Sequence, residues 1–362
     1  METDFKTLSA LSREEERVFI QQAKSIVDDL FIYKPYLYWL DFIVTTIIAY
    51  GAAYIYFTAD NFSFGQISSF FVSIFALFRA GVFIHEIVHM PGNVMNGFKL
   101  FWNVFYGIPT FTPSFMYKNH TDHHNWRHYG TPKDGEYVQL SGSTKSILLY
   151  LIQVPLLPLF AVIRFLFLGP LSWFIPKLRI WVLENVSSYI CNPKYRRRLP
   201  PNEKRGLWLL GEVACFIVLA LFFTALVTGV IAPHVLVEVY ILGMGAAGLN
   251  WIRNLAAHRY GNKGDSMSYV SQLVDSVNIV GFSPLTFLLF PVGLRYHALH
   301  HFFPALPYHA LGKAHKRLMS QLPENSFYHH TIEKSFMKIV FDLWKGSFKD
   351  RYTHNPNMRK AA

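Results

Sequence analysis

Cysteine is scarce in this chain, which has only Cys191 and Cys215 among its 362 residues. So few thiols exclude a disulfide framework, and they argue against a thiolate metal site. The net charge of +11 comes without a glycine-rich phosphate loop or a nucleic-acid recognition module, so we expect no nucleic-acid partner. We therefore expect any metal in this protein to be held by side chains other than cysteine.

Charged residues are also few, at 16% of the chain, whereas hydrophobic residues make up 52% and the mean hydropathy is +0.21. This apolar content exceeds what a soluble domain of the same size needs. Four apolar runs of membrane length predict transmembrane helices at 36–58, 62–84, 206–230 and 232–252. The expected fold class is an all-α membrane protein with four transmembrane helices.

The distribution of positive charge predicts how these spans are oriented. Lysine and arginine are missing from 206–252, but Arg253 and Arg259 follow this stretch. Six more basic residues precede it: Lys194, Arg196, Arg197, Arg198, Lys204 and Arg205. Because positive charges stay on the cytoplasmic side, we expect a multi-pass protein with both chain ends in the cytoplasm.

Three further apolar stretches, 98–117, 147–174 and 279–294, are interrupted by proline or charge. Each lies between groups that must end on one side of the membrane, so each must cross it zero or two times. We interpret them as interfacial or re-entrant elements. For 147–174, which contains Arg164 and Gly169-Pro170, a pair of crossings is the alternative.

The chain ends predict two extramembrane segments. Ser12 and Glu15 have capping-box spacing, and apolar residues follow at helical intervals, so we expect an amphipathic helix that lies against the bilayer. The predicted organisation is an N-terminal cytoplasmic amphipathic segment (1–34), a membrane-embedded catalytic domain (35–318) and a C-terminal cytoplasmic tail (319–362).

Nine histidines stand where a metal site would need them. The pattern His120-Thr121-Asp122-His123-His124 returns at His297-Ala298-Leu299-His300-His301, and His85, His89 and His258 lie where apolar runs end. All nine are predicted to face the same compartment, which random histidines have no reason to do. Imidazole suits iron, copper, zinc and nickel, and nine imidazoles exceed what one ion can hold. The sequence therefore predicts two metals without choosing the element.

A rival interpretation concerns His85-Glu86-Ile87-Val88-His89, which also matches the zinc-hydrolase pattern. An intramembrane zinc protease would use the two histidines as ligands and Glu86 to activate water. That function needs only one further ligand and leaves most of the other histidines unexplained. Alternatively, Glu86 and Asp122 would fix the tautomers of neighbouring imidazoles. A carrier or structural protein with fortuitous histidines is the third alternative.

On these residues, the chain resembles the integral-membrane fatty acid desaturase and hydroxylase superfamily, whose members carry three histidine boxes. The boxes correspond here to the motifs at 85–89, 120–124 and 297–301. The stretch 254–261, from Asn254 through His258, is similar to the supplementary Asn/His element of acyl desaturases. Phe302-Phe303-Pro304 follows the third box as in many relatives. The resemblance covers roughly residues 40–318.

The resemblance implies a cytoplasmic helical cap that carries the boxes and a centre of two Fe ions. Its ligands would be all nine histidines, with Asn254 reaching one iron through a water: His85, His89, His120, His123, His124, His258, His297, His300 and His301. These nine histidines would also be the catalytic residues. The implied activity is O2-dependent desaturation of a fatty acyl chain.

Other outcomes of the same chemistry stay open: hydroxylation, ketone formation, or oxidative decarboxylation of a free fatty acid to a terminal alkene. No haem-attachment motif, iron–sulfur cysteine set or flavin fingerprint is found in the sequence. We therefore expect a separate electron donor, namely ferredoxin, rubredoxin or a small cytochrome.

Overall fold

The computed structural model describes residues 12–200, 203, 205–262 and 264–353, most of which are helical. The strands within these residues are β1 (Asn278–Ile279) and β2 (Ile332–Glu333), which pair in parallel. The α-helices are α1 (Arg13–Val27), α2 (Pro35–Thr58), α3 (Phe64–His89), α4 (Asn96–Trp102), α5 (His120–His124), α6 (Thr144–Leu151), α7 (Gln153–Val162), α8 (Gly169–Phe174), α9 (Pro176–Asn185), α10 (Gly206–Val227), α11 (His234–Asn254), α12 (Tyr269–Asp275), α13 (Pro284–Leu289), α14 (His297–Phe302), α15 (Tyr308–Gln321) and α16 (Phe336–Thr353). Asn103–Gly107 and Ile163–Leu168 are π-helical, and Asp28–Leu30, Ser114–Tyr117 and Phe327–Thr331 are 3-10 helices. The all-α prediction is confirmed.

Five helical stretches of the described chain are long and apolar enough to cross a membrane. They are Pro35–Thr58, Phe64–His89, Thr144–Phe174, Gly206–Val227 and His234–Asn254. Four of them match the predicted spans. The fifth coincides with the stretch that we interpreted as interfacial or as a pair of crossings, so the predicted count of four is not confirmed.

Ion pairs explain how charged residues are accommodated in these apolar helices. Arg79 of α3 lies near the end of the predicted span 62–84. It binds both carboxylate oxygens of Asp41 in α2, at 2.8 and 2.6 Å. Arg164 lies in the π-helical segment and pairs with Glu212 of α10. Because a partner on another helix compensates its buried charge, Arg164 does not break the helix as its sequence position indicated.

The other two interrupted apolar stretches, 98–117 and 279–294, contain only short helices. Between residues 98 and 117, α4 gives way to a π-helical segment, and the Trp102 indole donates a 2.9 Å hydrogen bond to the backbone oxygen of Ala80. The stretch 279–294 contains α13, which has six residues. Neither stretch holds a helix of spanning length, as predicted.

The chain forms two compact units. Unit 1 comprises the described parts of Met1–Lys34, Thr121–Leu151 and Trp251–Ala362, and unit 2 comprises those of Pro35–His120 and Ile152–Asn250. The predicted division at 34 and 318 stays a prediction. The first eleven residues of the segment 1–34 and residues 354–362 of the predicted tail lie outside the described residues.

The N-terminal helix α1 packs on protein in unit 1. Its capping box forms as predicted: the Glu15 backbone N–H donates to Oγ of Ser12, and the Glu15 carboxylate accepts from the Ser12 backbone. Phe19, Ala23 and Val27 are buried, and the ring of Phe19 stacks on Phe302 at 5.3 Å. The expectation that this apolar face lies against the bilayer is therefore wrong at these positions, because the unit's own core covers them.

Candidate metal centre

Three of the nine predicted ligands lie together in unit 2, and we call them the span-end group. His85 and His89 are one turn apart at the end of α3, with ring centroids 5.5 Å apart. The ring of His120 is 4.6 Å from that of His85 and 5.0 Å from that of His89. Tyr117 stacks on His120 at 4.7 Å. The helical spacing that suggested a shared ligand face is thus seen in the structure.

Four others form the four-histidine group of unit 1: His123 of α5, His258 after α11, and His297 and His301 of α14. The Nε2 atom of His258 lies 3.2 Å from Nε2 of His123 and 3.1 Å from Nε2 of His297. The Nε2 atoms of His297 and His301 are 3.2 Å apart. All four side chains are buried, and one ligand atom from each lies within 4.8 Å of the others.

The spacing of these nitrogens fits a single metal ion. Imidazole nitrogens bind a metal such as zinc at about 2.0–2.1 Å, so two ligands at bond angles of about 90–110° lie about 2.9–3.4 Å apart. The three measured nitrogen–nitrogen distances fall within this range. Four imidazoles suit iron but do not select it over zinc, copper or nickel.

The last two predicted ligands, His124 and His300, also meet in unit 1. Their Nε2 atoms are 3.1 Å apart and their rings are perpendicular, with centroids at 4.7 Å. Unit 1 therefore contains six of the nine predicted histidines and unit 2 contains three.

A buried carboxylate, Asp134, holds His123. Its two oxygens lie 3.1 and 2.9 Å from Nδ1 of His123, and backbone N–H groups of Gly130, Glu136 and Tyr137 donate to the same carboxylate. Burial opposes both charges, but their mutual attraction outweighs it, so the pKa of Asp134 is lowered and that of His123 is raised. The carboxylate beside Nδ1 holds a proton on that nitrogen, so a metal bound by His123 would bind Nε2, in place of any second proton there.

A tyrosine and a second buried carboxylate hold His258. Tyr129 donates a 2.7 Å hydrogen bond to Asp275, and its Oη lies 2.7 Å from Nδ1 of His258. Because the tyrosine proton goes to Asp275, Nδ1 of His258 must be the donor to Tyr129, and Nε2 keeps its lone pair. Burial lowers the pKa of His258 well below its ordinary value, which favours the neutral ring that metals bind.

The family model described as "Fatty acid desaturase" matches residues 61–332, a range that contains all nine histidines. The chain belongs to the fatty acid desaturase family. A relative of this desaturase-family chain is "Ceramide hydroxylase" from Caulobacter vibrioides (strain NA1000 / CB15N). The two are 36% identical over 331 residues, which cover 90% of this chain and 93% of the relative.

Family membership confirms the resemblance and removes the support for a zinc protease. The protease interpretation left most of the histidines unexplained, whereas the three boxes on which the resemblance rests include all of them except His258. Glu86, which a protease would use to activate water, instead accepts a buried 2.6 Å hydrogen bond from Tyr38. Asp122 pairs with His128 at 3.0 Å, and its suggested role in fixing a ligand tautomer stays a prediction.

Four residues around the centre of this desaturase-family chain escaped sequence analysis: Asp134, Tyr129, Asp275 and Gln272. Gln272 lies 3.0 Å from Nδ1 of His301 and donates to the backbone oxygen of His123. Asp134, Tyr129 and Gln272 share no helix with the histidines that they contact, and Asp275 acts through Tyr129, so periodicity offered no signal. The Asn254 backbone oxygen accepts a hydrogen bond from Tyr260, and its predicted contact with iron through a water stays a prediction.

Proposed function

We propose that this protein is an O2-dependent, iron-containing membrane hydroxylase that acts on a long-chain lipid of the ceramide class. The observation that carries the proposal is the 36% identity to a ceramide hydroxylase over nearly the whole of both chains. Desaturation of an acyl chain is the second candidate, supported by the description of the matching family. Both reactions begin with removal of hydrogen from an unactivated carbon.

The four-histidine group is our proposed ligand set for one iron, with His123, His258, His297 and His301 each contributing Nε2. The other five histidines of the boxes are proposed as further iron ligands: His85, His89, His120, His124 and His300. Iron in such a centre supplies the oxidising power that O2 alone lacks towards a C–H bond.

The chain's own residues would prepare the centre in two ways. Asp134 and Tyr129 direct the protons of His123 and His258 to Nδ1, so that both Nε2 atoms are ready to bind without a change of tautomer. Burial of the group excludes water, which strengthens the interactions of ligands and carboxylates. Such preorganisation holds the ligand atoms in place throughout turnover.

Electrons are proposed to come from a separate donor, for which ferredoxin, rubredoxin and a small cytochrome remain the candidates. We also propose that the histidines and both chain ends face the cytoplasm, on the basis of the basic residues that flank 206–252. That arrangement needs an even number of crossings. Thr144–Phe174 would then lie at the membrane interface without crossing, as the sequence interpretation expected.

Product identification tests the proposal. The purified, iron-loaded protein is incubated in lipid nanodiscs with O2, a chemical reductant and either ceramide or free fatty acid, and the products are analysed by mass spectrometry. A gain of one oxygen by ceramide supports hydroxylation, whereas a loss of two hydrogens would replace it with desaturation. A terminal alkene one carbon shorter than its fatty acid would identify decarboxylation instead.

A matched pair of variants separates catalysis from a fortuitous cluster of histidines. His300→Ala should abolish product formation, whereas His330→Ala, at an exposed position outside the boxes, should leave it unchanged. Full product formation by His300→Ala would refute the assignment of His300 to the metal centre, whereas a wild-type protein that forms no product would support a carrier or structural role.

A further inference from the structure

The last described helix, α16, has an exposed apolar stripe. Met337 and Phe341 are one turn apart and are 60% and 61% exposed, and the half-exposed Trp344 follows three residues later. A different face of the helix carries Phe336 and Ile339, which are buried. Helix α16 therefore packs on its own unit with one face and presents a second apolar face to the surroundings.

The charged residues in the first three turns of α16 occupy a third face. Lys338 and Asp342 are one turn apart and form an exposed ion pair at 2.7 Å, and the exposed Lys345 lies on the same side. A helix with an apolar stripe beside a lysine-containing polar face is typical of helices that lie in the plane of a membrane interface. The stripe holds too few residues for a span and is too regular for scattered surface residues.

Helix α16 is joined to the beginning of a membrane-length helix in the same unit. The hydroxyl groups of Ser347 in α16 and Thr144 in α6 are 2.9 Å apart, and both are buried. Thr144 begins the apolar stretch Thr144–Phe174, and Leu148 and Leu149 in its first turns are exposed. Helix α16 therefore packs against the beginning of a segment that is apolar enough for lipid.

The strand pair brings a second exposed apolar segment to α16. Because β1 and β2 are parallel, α13 and α16 follow the same end of the pair, and Phe290 contacts Phe336 with ring centroids 5.7 Å apart. Phe282, just before α13, is 92% exposed, and Phe287 within α13 is also exposed. Two neighbouring elements of unit 1 thus present large aromatic side chains.

We propose that α16 and residues 282–288 form an interfacial membrane-binding surface, with Phe282, Phe287, Met337 and Phe341 at the boundary between head groups and acyl chains. Lys338 and Lys345 lie among the head groups, where their charge complements anionic lipids. The occupant is a lipid surface because the helix that carries the stripe packs against the beginning of a helix of membrane length and because lysines flank the stripe. Part of the segment predicted as a cytoplasmic tail is thereby an in-plane anchor.

Spin-label accessibility tests this surface in the full-length protein. A nitroxide is attached to Phe341→Cys in nanodiscs of phosphatidylethanolamine and phosphatidylglycerol, and its collision rates with O2, which partitions into lipid, and with a water-soluble nickel chelate are measured. The matched control is Asp342→Cys, at the next position on the charged face. The native thiols, Cys191 and Cys215, are both buried, and labelled wild-type protein gives their background signal.

The ratio of O2 to nickel collisions should be several-fold higher at position 341 than at position 342. Equal ratios with free access of nickel to both labels would overturn the proposal. Strong spin–spin broadening at 341 would also overturn it, by showing that a second copy of the chain covers the stripe. If Phe341→Cys fails to fold, Met337→Cys provides the same readout one turn earlier.

Discussion

The two groups of histidines within the units differ in how the chain builds them. In the span-end group, two ligands come from one turn of α3, a helix of membrane length, and the neighbouring rings of His120 and Tyr117 pack beside them. In the four-histidine group, the ligands come from three separate stretches and meet through long-range packing in unit 1. Two buried carboxylates, Asp134 and Asp275, then hold this second group.

This difference indicates which group depends on its surroundings. A pair of histidines on one helical turn keeps its spacing as long as the helix forms. The four-histidine group instead gathers imidazoles across more than one hundred residues of chain, and each ring must be oriented by a partner. We therefore expect mutations around the four-histidine group, outside the ligands themselves, to have graded effects on metal binding.

Removal of a ligand should have the largest effect. His258→Ala takes one of four imidazoles from the four-histidine group, and we expect activity below detection and iron content falling from about two to about one ion per chain. His85→Ala should abolish activity equally, since the proposed reaction needs both irons. Iron is measured by mass spectrometry on purified protein, with His330→Ala as the control. Retention of both irons by His258→Ala would contradict the assignment of this group.

Loss of the carboxylate beside His123 should have the second-largest effect on iron binding. Asp134→Asn keeps the shape of the side chain but removes the charge that draws the His123 proton to Nδ1, so iron affinity should fall about 10- to 100-fold. Competition with a chelator measures this affinity. Asp265→Asn, at an exposed position of the same unit, is the control and should behave like wild type. Equal affinities for the two variants would show that Asp134 does not orient the ligand.

The sequence predicted the span-end pair because helical periodicity relates residues that are near in the chain. His85 and His89 needed only a helix that ends at the right place, and α3 does so. Four of the five membrane-length helices were likewise visible as apolar runs. Sequence periodicity was therefore sufficient to predict elements whose residues are close together in the chain.

The features that the sequence did not predict depend on contacts between residues that are distant in the chain. Arg164 was interpreted as a break in an apolar stretch because its counter-ion, Glu212, is 48 residues away. Asp134 lies in a loop eleven residues after His123, and no helix or strand connects the two residues, so periodicity could not relate them. The face of α1 was assigned to the bilayer because its cover, including Phe302, comes from the other end of the chain. Periodicity shows that a face is apolar but not what covers it.

A smaller effect is expected when the hydrogen bond to His258 is weakened. Tyr129→Phe removes the acceptor of the His258 Nδ1 proton, but Oγ of Ser276 remains 3.2 Å from the same nitrogen. Iron affinity should therefore fall less than in Asp134→Asn, by under about tenfold. The matched control is Tyr137→Phe, since Tyr137 also donates to Asp275. If both tyrosine variants lost iron equally, support of Asp275 rather than orientation of His258 would be the role of Tyr129.

Acid should reveal a change in stability rather than in iron affinity, through a histidine that is not a ligand. His315 of α15 is buried in unit 1 with Nδ1 2.8 Å from the hydroxyl of Tyr328, and burial lowers its pKa to about 4. The neutral ring is the folded form, so its contribution to stability is complete above about pH 6.5 and declines as pH falls towards 4. Between pH 7 and pH 5 this loss should be about 2 kcal/mol. His315→Gln, which cannot take up the proton, should lose less stability over this range in thermal unfolding of the iron-free protein. An identical pH dependence for the variant and the wild type would show that His315 is not an acid-sensitive element of unit 1.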